Sequence, residues 1–110
     1  MPKRTPRLLL DDILTAIAKI QRYVHGMDLA VFLADEKTID AVVRNLEIIG
    51  EASRHLPEDF KRTHPDVPWS QMAGLRNRIV HDYLGIDYEI VWHVIQNELA
   101  ALKSDIEALL

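Results

Sequence analysis

The chain contains no cysteine, and this absence excludes several kinds of chemistry at once. Without a thiol the protein has no disulfide, no thiolate nucleophile and no cysteine-based metal site. Such a composition is compatible with a reducing compartment, and it makes a redox function a poor hypothesis.

Long hydrophobic runs are also missing from the sequence. No apolar stretch approaches the roughly twenty residues that a membrane-spanning helix needs. The basic segment at residues 2–7 is followed by an apolar stretch that breaks at Asp11 and Asp12, too early for the hydrophobic region of a signal peptide. We therefore expect a cytoplasmic protein with no membrane partner.

Positive charge is in deficit, with 13 lysines and arginines against 17 acidic residues and a net charge of −4. A protein that coats nucleic acid through a broad basic surface depends on many phosphate contacts at once. The balance argues against such a surface and predicts that any RNA contact is local. Positive side chains are concentrated at three places: Lys3, Arg4 and Arg7; Lys61 and Arg62; Arg76 and Arg78.

At 110 residues the chain fits one domain, residues 1–110, with room for a real core. Apolar residues recur at three- and four-residue spacing, and no segment alternates as a strand does. The pattern predicts four main helices at residues 8–24, 35–56, 68–85 and 87–109, with short helical turns near 27–34 and 58–63. Asp35 and Asp87 are the expected N-caps, and Gly85 is the expected stop of the third helix. We predict an all-α, antiparallel helical bundle.

Gly50 lies inside the second predicted helix. Glycine costs a helix interior roughly 1 kcal/mol relative to alanine, so its presence indicates a close crossing with another helix rather than a break.

The segment 75–83 carries the side chains most suited to catalysis. Within it are Arg76, Asn77, His81 and Tyr83. Histidine titrates in the physiological range and can accept or donate a proton, while arginine carries a permanent charge shaped to bind phosphate. This combination points to a phosphodiester substrate.

A single regular helix does not easily direct these side chains at one atom. Asn77 and His81 are four apart and would share a face, and Arg76 and Tyr83 would share another. Arg76 and His81 are five apart, about 140° around the axis at roughly 100° per residue. Fraying near Gly85 would bring them together, and so would a two-fold dimer that forms a composite site from two subunits. We favour the dimer.

The sequence resembles the HEPN ribonuclease superfamily, whose signature is an arginine, a polar residue and then a histidine at a helix end. Arg76, Asn77 and His81 match that signature. The likeness to the HepT toxin branch is closer, because it includes the segments 44–52, 68–69 and 76–83 and spans nearly the whole chain. The histidine-x-tyrosine ending and the glycine-glutamate-alanine context upstream make it specific.

The resemblance implies a toxin that is a metal-independent endoribonuclease and a homodimer or higher assembly. His81 would transfer the proton, Arg76 would stabilise charge on phosphorus, and Asn77 would support them. Products would carry 2′,3′-cyclic phosphate and 5′-hydroxyl ends. No cofactor and no metal ion is expected. Arg78 is a further candidate for RNA contact.

The resemblance also implies a partner, a small nucleotidyltransferase antitoxin of the MntA type. Enzymes of that type transfer AMP to the tyrosine two residues after the histidine, and Tyr83 occupies this position. The added phosphodiester and base would exclude RNA and switch the toxin off.

Other interpretations remain open at this point. Arg76 is also explained as an ordinary surface arginine. His81 is also explained as a histidine in the last turn of a helix, where it interacts favourably with the helix dipole. A non-catalytic binding module that docks or presents substrate to a nucleotidyltransferase would need the same fold.

Several remaining side chains have simpler explanations. Glu47 and Glu51 belong to a charged stripe that is most often a solvated face, and like charges four apart favour a cation between them, such as Arg78 or an arginine of a partner. Trp69 and Trp92 are expected to anchor helix packing. The scattered histidines at positions 25, 55, 64 and 93 match no zinc signature.

Overall fold

The computed structural model describes residues 4–81 and 85–110, and of His81 it describes only the backbone. The fold is an all-α bundle, as predicted. In this part of the chain the elements are α1 (Pro6–Tyr23), α2 (Leu29–Leu33), α3 (Glu36–His55), α4 (Glu58–Thr63), α5 (Trp69–Ala73), α6 (Leu75–Ile79), β1 (Val80–His81), β2 (Gly85–Ile86), α7 (Tyr88–Asn97) and α8 (Leu99–Glu107).

The first helix begins two residues earlier than expected. The Thr5 hydroxyl accepts a hydrogen bond from the Leu8 amide at 3.2 Å, and Pro6 occupies the first turn, where its missing N–H costs nothing. Beyond the end of α1, Gly26 has a φ of 79°, which suits glycine. α1 packs along α3, and this pair of long helices is the main support of the bundle.

The second long helix, α3, starts at its predicted cap. The Asp35 carboxylate accepts a hydrogen bond from the Thr38 amide at 3.0 Å, and this bond lowers the pKa of Asp35. The predicted close crossing at Gly50 is confirmed. A Cβ at Gly50 would lie 3.3 Å from the carbonyl oxygen of Met72, so the backbones of α3 and α5 approach closely.

The third predicted helix is wrong in its length and continuity. It is interrupted at Gly74 and ends at Ile79, and Val80 turns to an extended backbone with φ −111° and ψ 124°. The strands β1 and β2 pair antiparallel, with His81 opposite Gly85. Ile79 and Val80 are β-branched and favour extended backbone, and Gly85 supplies a φ of 83°. Gly85 is therefore part of a strand pair and not the stop of a helix.

The fourth predicted helix begins at its expected cap, but it contains a break that was not predicted. The Asp87 carboxylate accepts a hydrogen bond from the Ile90 amide at 3.1 Å. At Glu98 the backbone departs from helical geometry, with φ −122° and ψ −34°, and α8 follows in place of a continuous helix.

The core is built from the inward faces of α1, α3, α6, α7 and α8. Its fully enclosed members include Ile13, Ile17, Leu46, Ile79 and Leu99, each 0% exposed. Within residues 4–81 and 85–110, no helix is long and apolar enough to cross a membrane. The predicted two-fold dimer stays a prediction.

Candidate active site

The short helix α6 presents Arg76 and Asn77 to solvent. Leu75 and Ile79, four apart, are 4% and 0% exposed and hold one face of α6 against the core. Arg76 and Asn77 lie outside that face and are exposed. The helix has only five residues and no side-chain cap, so its orientation depends on tertiary contacts.

Arg76 borders a cavity of about 280 Å³ between α3 and α6, with Ala73 at the end of α5 completing it. The cavity is lined by Glu47, Gly50, Glu51, Arg54, Ala73 and Arg76. Among the described residues, the Arg76 side chain has no hydrogen-bond or ion-pair partner. Its guanidinium therefore retains its donors for an anionic ligand such as a phosphate.

Arg54 organises the rim of this cavity, which sequence reasoning did not foresee. Its guanidinium donates to a Glu51 carboxylate oxygen at 3.0 Å and to the Ala73 carbonyl oxygen at 3.1 Å. The second bond ties α3 to the carbonyl end of α5, one residue before the Gly74 break. The suggestion that Arg78 lies between Glu47 and Glu51 is wrong, because Arg78 pairs with Glu98 and Arg54 pairs with Glu51. The alternative of an arginine from a partner stays a prediction.

Arg78 instead forms a two-bond ion pair with Glu98. The Nη1 and Nη2 atoms of Arg78 donate to Oε1 and Oε2 of Glu98 at 2.8 and 2.9 Å. These bonds lower the pKa of the Glu98 carboxyl and raise the pKa of the Arg78 guanidinium. His93 is near, with its Nε2 atom 3.7 Å from the second Glu98 oxygen.

His81 does not share a helical face with Asn77. The chain leaves the helix at Ile79, so His81 follows on extended backbone in β1. The expectation that Arg76 and Tyr83 share a helical face assumed a continuous helix, whereas α6 ends at Ile79. The His81 side chain, Asp82 and Tyr83 lie outside the described residues.

The tryptophans pack between helices, as predicted. Trp69 is 8% exposed, and its ring N–H donates to the His64 carbonyl oxygen at 2.9 Å. Trp92 packs on Phe32 with ring centroids 5.0 Å apart.

In the basic N-terminal arm, Arg4 forms an ion pair with Asp12 at 2.7 Å.

No group of three or more histidine, aspartate or glutamate side chains within the described ranges is placed to hold a metal ion.

Comparison with known proteins identifies relatives along nearly the whole chain. A family model described as "Ribonuclease HepT-like" matches residues 13–109. A Thermococcus cleftensis protein named "Probable ribonuclease HepT" is 42% identical over 107 residues, which cover 97% of each chain. A Methanocaldococcus jannaschii protein with a provisional RNase name is 44% identical over 110 residues, or 100% of this chain and 91% of that one. No solved structure matches significantly.

Proposed function

Because the chain belongs to the HepT-like ribonuclease family, we propose that it is the toxin of a toxin–antitoxin pair and cuts RNA in the cytoplasm without a metal ion. The observation that carries this proposal is the family match over residues 13–109, which includes the entire segment 75–83. The exposure of Arg76, with no ion-pair partner among the described residues, supports it.

His81 is the proposed proton-transfer group. The ribose 2′-oxygen attacks the adjacent phosphorus and gives its proton to a base, the bond from phosphorus to the 5′-oxygen breaks, and that oxygen is protonated. An imidazole can take either proton-transfer role at neutral pH. The products are a 2′,3′-cyclic phosphate and a 5′-hydroxyl end. DNA lacks the 2′-hydroxyl and is not a substrate.

Arg76 is the proposed stabiliser of the charge that grows on the phosphate oxygens. Its position beside a cavity, on a helix held by Leu75 and Ile79, supports this role. Asn77 follows it on the exposed side of α6 and is the proposed supporting group, which orients the phosphate or His81 through its amide.

Tyr83 is the proposed site of regulation by a cognate nucleotidyltransferase of the MntA type. Its phenol oxygen attacks the α-phosphorus of ATP, pyrophosphate leaves, the phenol proton is released, and AMP remains bound through a phosphodiester. The added negative charge and base then repel and block the RNA backbone. Tyr83→Phe should cleave RNA normally and escape ATP-dependent inhibition. Full inhibition of this variant would contradict the assignment.

The decisive experiment is cleavage of total cellular RNA by purified protein in EDTA, beside His81→Ala. Mass spectrometry must first confirm that Tyr83 is unmodified, because a bound AMP would mask activity. We expect cleavage by the wild type alone, with cyclic phosphate ends. Activity that EDTA abolishes, or ends with a 3′-hydroxyl, would refute the mechanism. No cleavage by either folded protein would favour the non-catalytic binding module.

A further inference from the structure

The ion pair between Arg78 and Glu98 connects two parts of the chain that are distant in sequence. It joins residues 20 positions apart and connects α6 to the break between α7 and α8. By contrast, Arg4 and Asp12 are eight positions apart, and the pairs Arg54–Glu51, Lys61–Glu58 and Arg62–Asp59 each join residues three positions apart within or beside one helix. The Arg78–Glu98 pair is thus a tertiary contact, made by a helix too short to be stable alone.

Arg76 and Arg78 point to opposite sides of α6. At roughly 100° per residue, side chains two positions apart differ by about 200° around a helix axis. Arg76 borders the cavity against α3, and Arg78 reaches Glu98 on the other side. A rotation of α6 that released Arg78 from Glu98 would also turn Arg76 away from its place at the cavity.

The buried anchors of α6 are apolar, and a backbone hydrogen bond from the Asp87 amide to the Ile79 carbonyl oxygen at 2.7 Å holds its C-terminal end. Leu75 and Ile79 lie on one face and prevent α6 from leaving the core, but apolar contacts are non-directional. The two parallel hydrogen bonds from Arg78 add a directional constraint, because a guanidinium and a carboxylate pair in one plane. The break at Glu98 places that carboxylate between two helices, which hold its backbone from both sides.

We propose that the Arg78–Glu98 ion pair positions Arg76 for catalysis by fixing the rotation of α6, an inference that rests on the proposed ribonuclease function. Arg78 is then a positioning residue. The alternative is that Arg78 contacts RNA directly. Against this, both of its terminal nitrogens already donate to Glu98, and the carboxylate cancels its charge toward an approaching phosphate.

The test compares Arg78→Gln, Glu98→Gln and the double variant with the wild type. We measure kcat, KM and the salt dependence of RNA binding. Each single variant should lower kcat by about 10- to 100-fold, as expected when a catalytic group is displaced by a fraction of an ångström to one ångström. KM and the salt dependence should hardly change. The kcat of the double variant should be no lower than that of each single variant, because either single substitution already removes the whole ion pair.

The RNA-contact alternative predicts a different pattern. If Arg78 binds a phosphate, Arg78→Gln should reduce the salt dependence by about one unit of slope and weaken binding. Glu98→Gln should then free Arg78 and tighten binding, with kcat unchanged. This pattern, or unchanged kcat in both single variants, overturns the positioning proposal.

Two controls keep the test decisive. Asp12→Asn breaks a comparable two-bond arginine–carboxylate pair at the other end of the chain and should leave kcat unchanged. Glu98→Asp keeps the charge but shortens the side chain, so its kcat should lie between those of the wild type and Glu98→Gln. It replaces Glu98→Gln in the comparison if that variant does not fold. All assays are run below the lowest melting midpoint. A wild type that cuts no RNA refutes the proposed function itself, whereas an active wild type with active variants refutes only the positioning role.

Discussion

Arg76 and Arg78 are the same residue type two positions apart, yet their surroundings differ. The Arg76 side chain has no partner among the described residues and borders a cavity, whereas the Arg78 side chain donates to both oxygens of Glu98. The motif predicts a role for Arg76 from local sequence. The role of Arg78 depends on a partner 20 residues away, which no local pattern indicates.

Removal of Arg76 should cost activity and not stability. The side chain is exposed, so Arg76→Ala should change the free energy of unfolding by no more than about 0.5 kcal/mol. Loss of its charge should lower kcat by about 100-fold or more. Urea unfolding and cleavage of a labelled RNA measure the two quantities. Arg76→Lys, which keeps the charge but not the planar fork, should be intermediate. An Arg76→Ala protein with normal kcat would contradict the catalytic assignment.

The Arg78–Glu98 pair should make stability depend on pH in acid. Its hydrogen bonds lower the pKa of Glu98, so the stabilisation is present above the ordinary glutamate pKa and is lost as pH falls through the lowered pKa. Because both side chains are about one-third exposed, the contribution should be under about 1 kcal/mol. Glu98→Gln should be less stable than wild type at pH 7, and the gap should close in strong acid. Urea titrations at pH 7 and in strong acid measure the difference in the free energy of unfolding between the two proteins. A difference that does not change with pH would show that the ion pair is not its cause.

At the scale of elements, the two helix starts capped by aspartate were predictable and the interruption at Glu98 was not. Asp35 and Asp87 cap their helices through bonds to amides three residues later, which is a local rule. The sequence around the break at Glu98 contains no glycine or proline that would have predicted it. The two-residue strands β1 and β2 are too short to show alternation, so the extended backbone at His81 could not be distinguished from a helix end.

The substitution Gly50→Val tests whether the close crossing of α3 and α5 maintains the shape of the cavity. Its Cβ position lies 3.3 Å from the Met72 carbonyl oxygen and 3.7 Å from that of Ala73, which are backbone atoms and cannot rotate away. Gly50→Val should therefore destabilise the protein by about 1–3 kcal/mol through overpacking. It should also lower kcat, because Ala73 and Arg76 line the same cavity.

The matched control for that variant is Ala18→Val on the exposed side of α1. It introduces the same β-branched side chain where there is no crossing, so it should cost only the difference in helix propensity, below about 1 kcal/mol. Equal destabilisation of the two variants by urea unfolding would show that the crossing is not tight.

At the scale of the whole molecule, the bundle carries the proposed site on one short helix and one short strand. The net charge of −4 offers no broad attraction for RNA, so we expect the proposed RNA contact to be local and to involve a few cations near α6. With α6 ending at Ile79, Arg76 and His81 lie on separate elements of one subunit. The predicted two-fold dimer would place the Arg76 of one subunit near the His81 of the other.

A composite site can be tested by mixing two inactive proteins. In a dimer of one Arg76→Ala subunit and one His81→Ala subunit, one of the two sites would combine an intact Arg76 with an intact His81. Equal mixing after subunit exchange makes about half of the dimers mixed, so activity should return to about one quarter of wild type for a two-fold assembly. Each variant alone should stay inactive, and sedimentation should give the dimer mass. If each site lies within a single subunit, the mixture stays inactive and the composite arrangement is wrong, although the ribonuclease assignment survives.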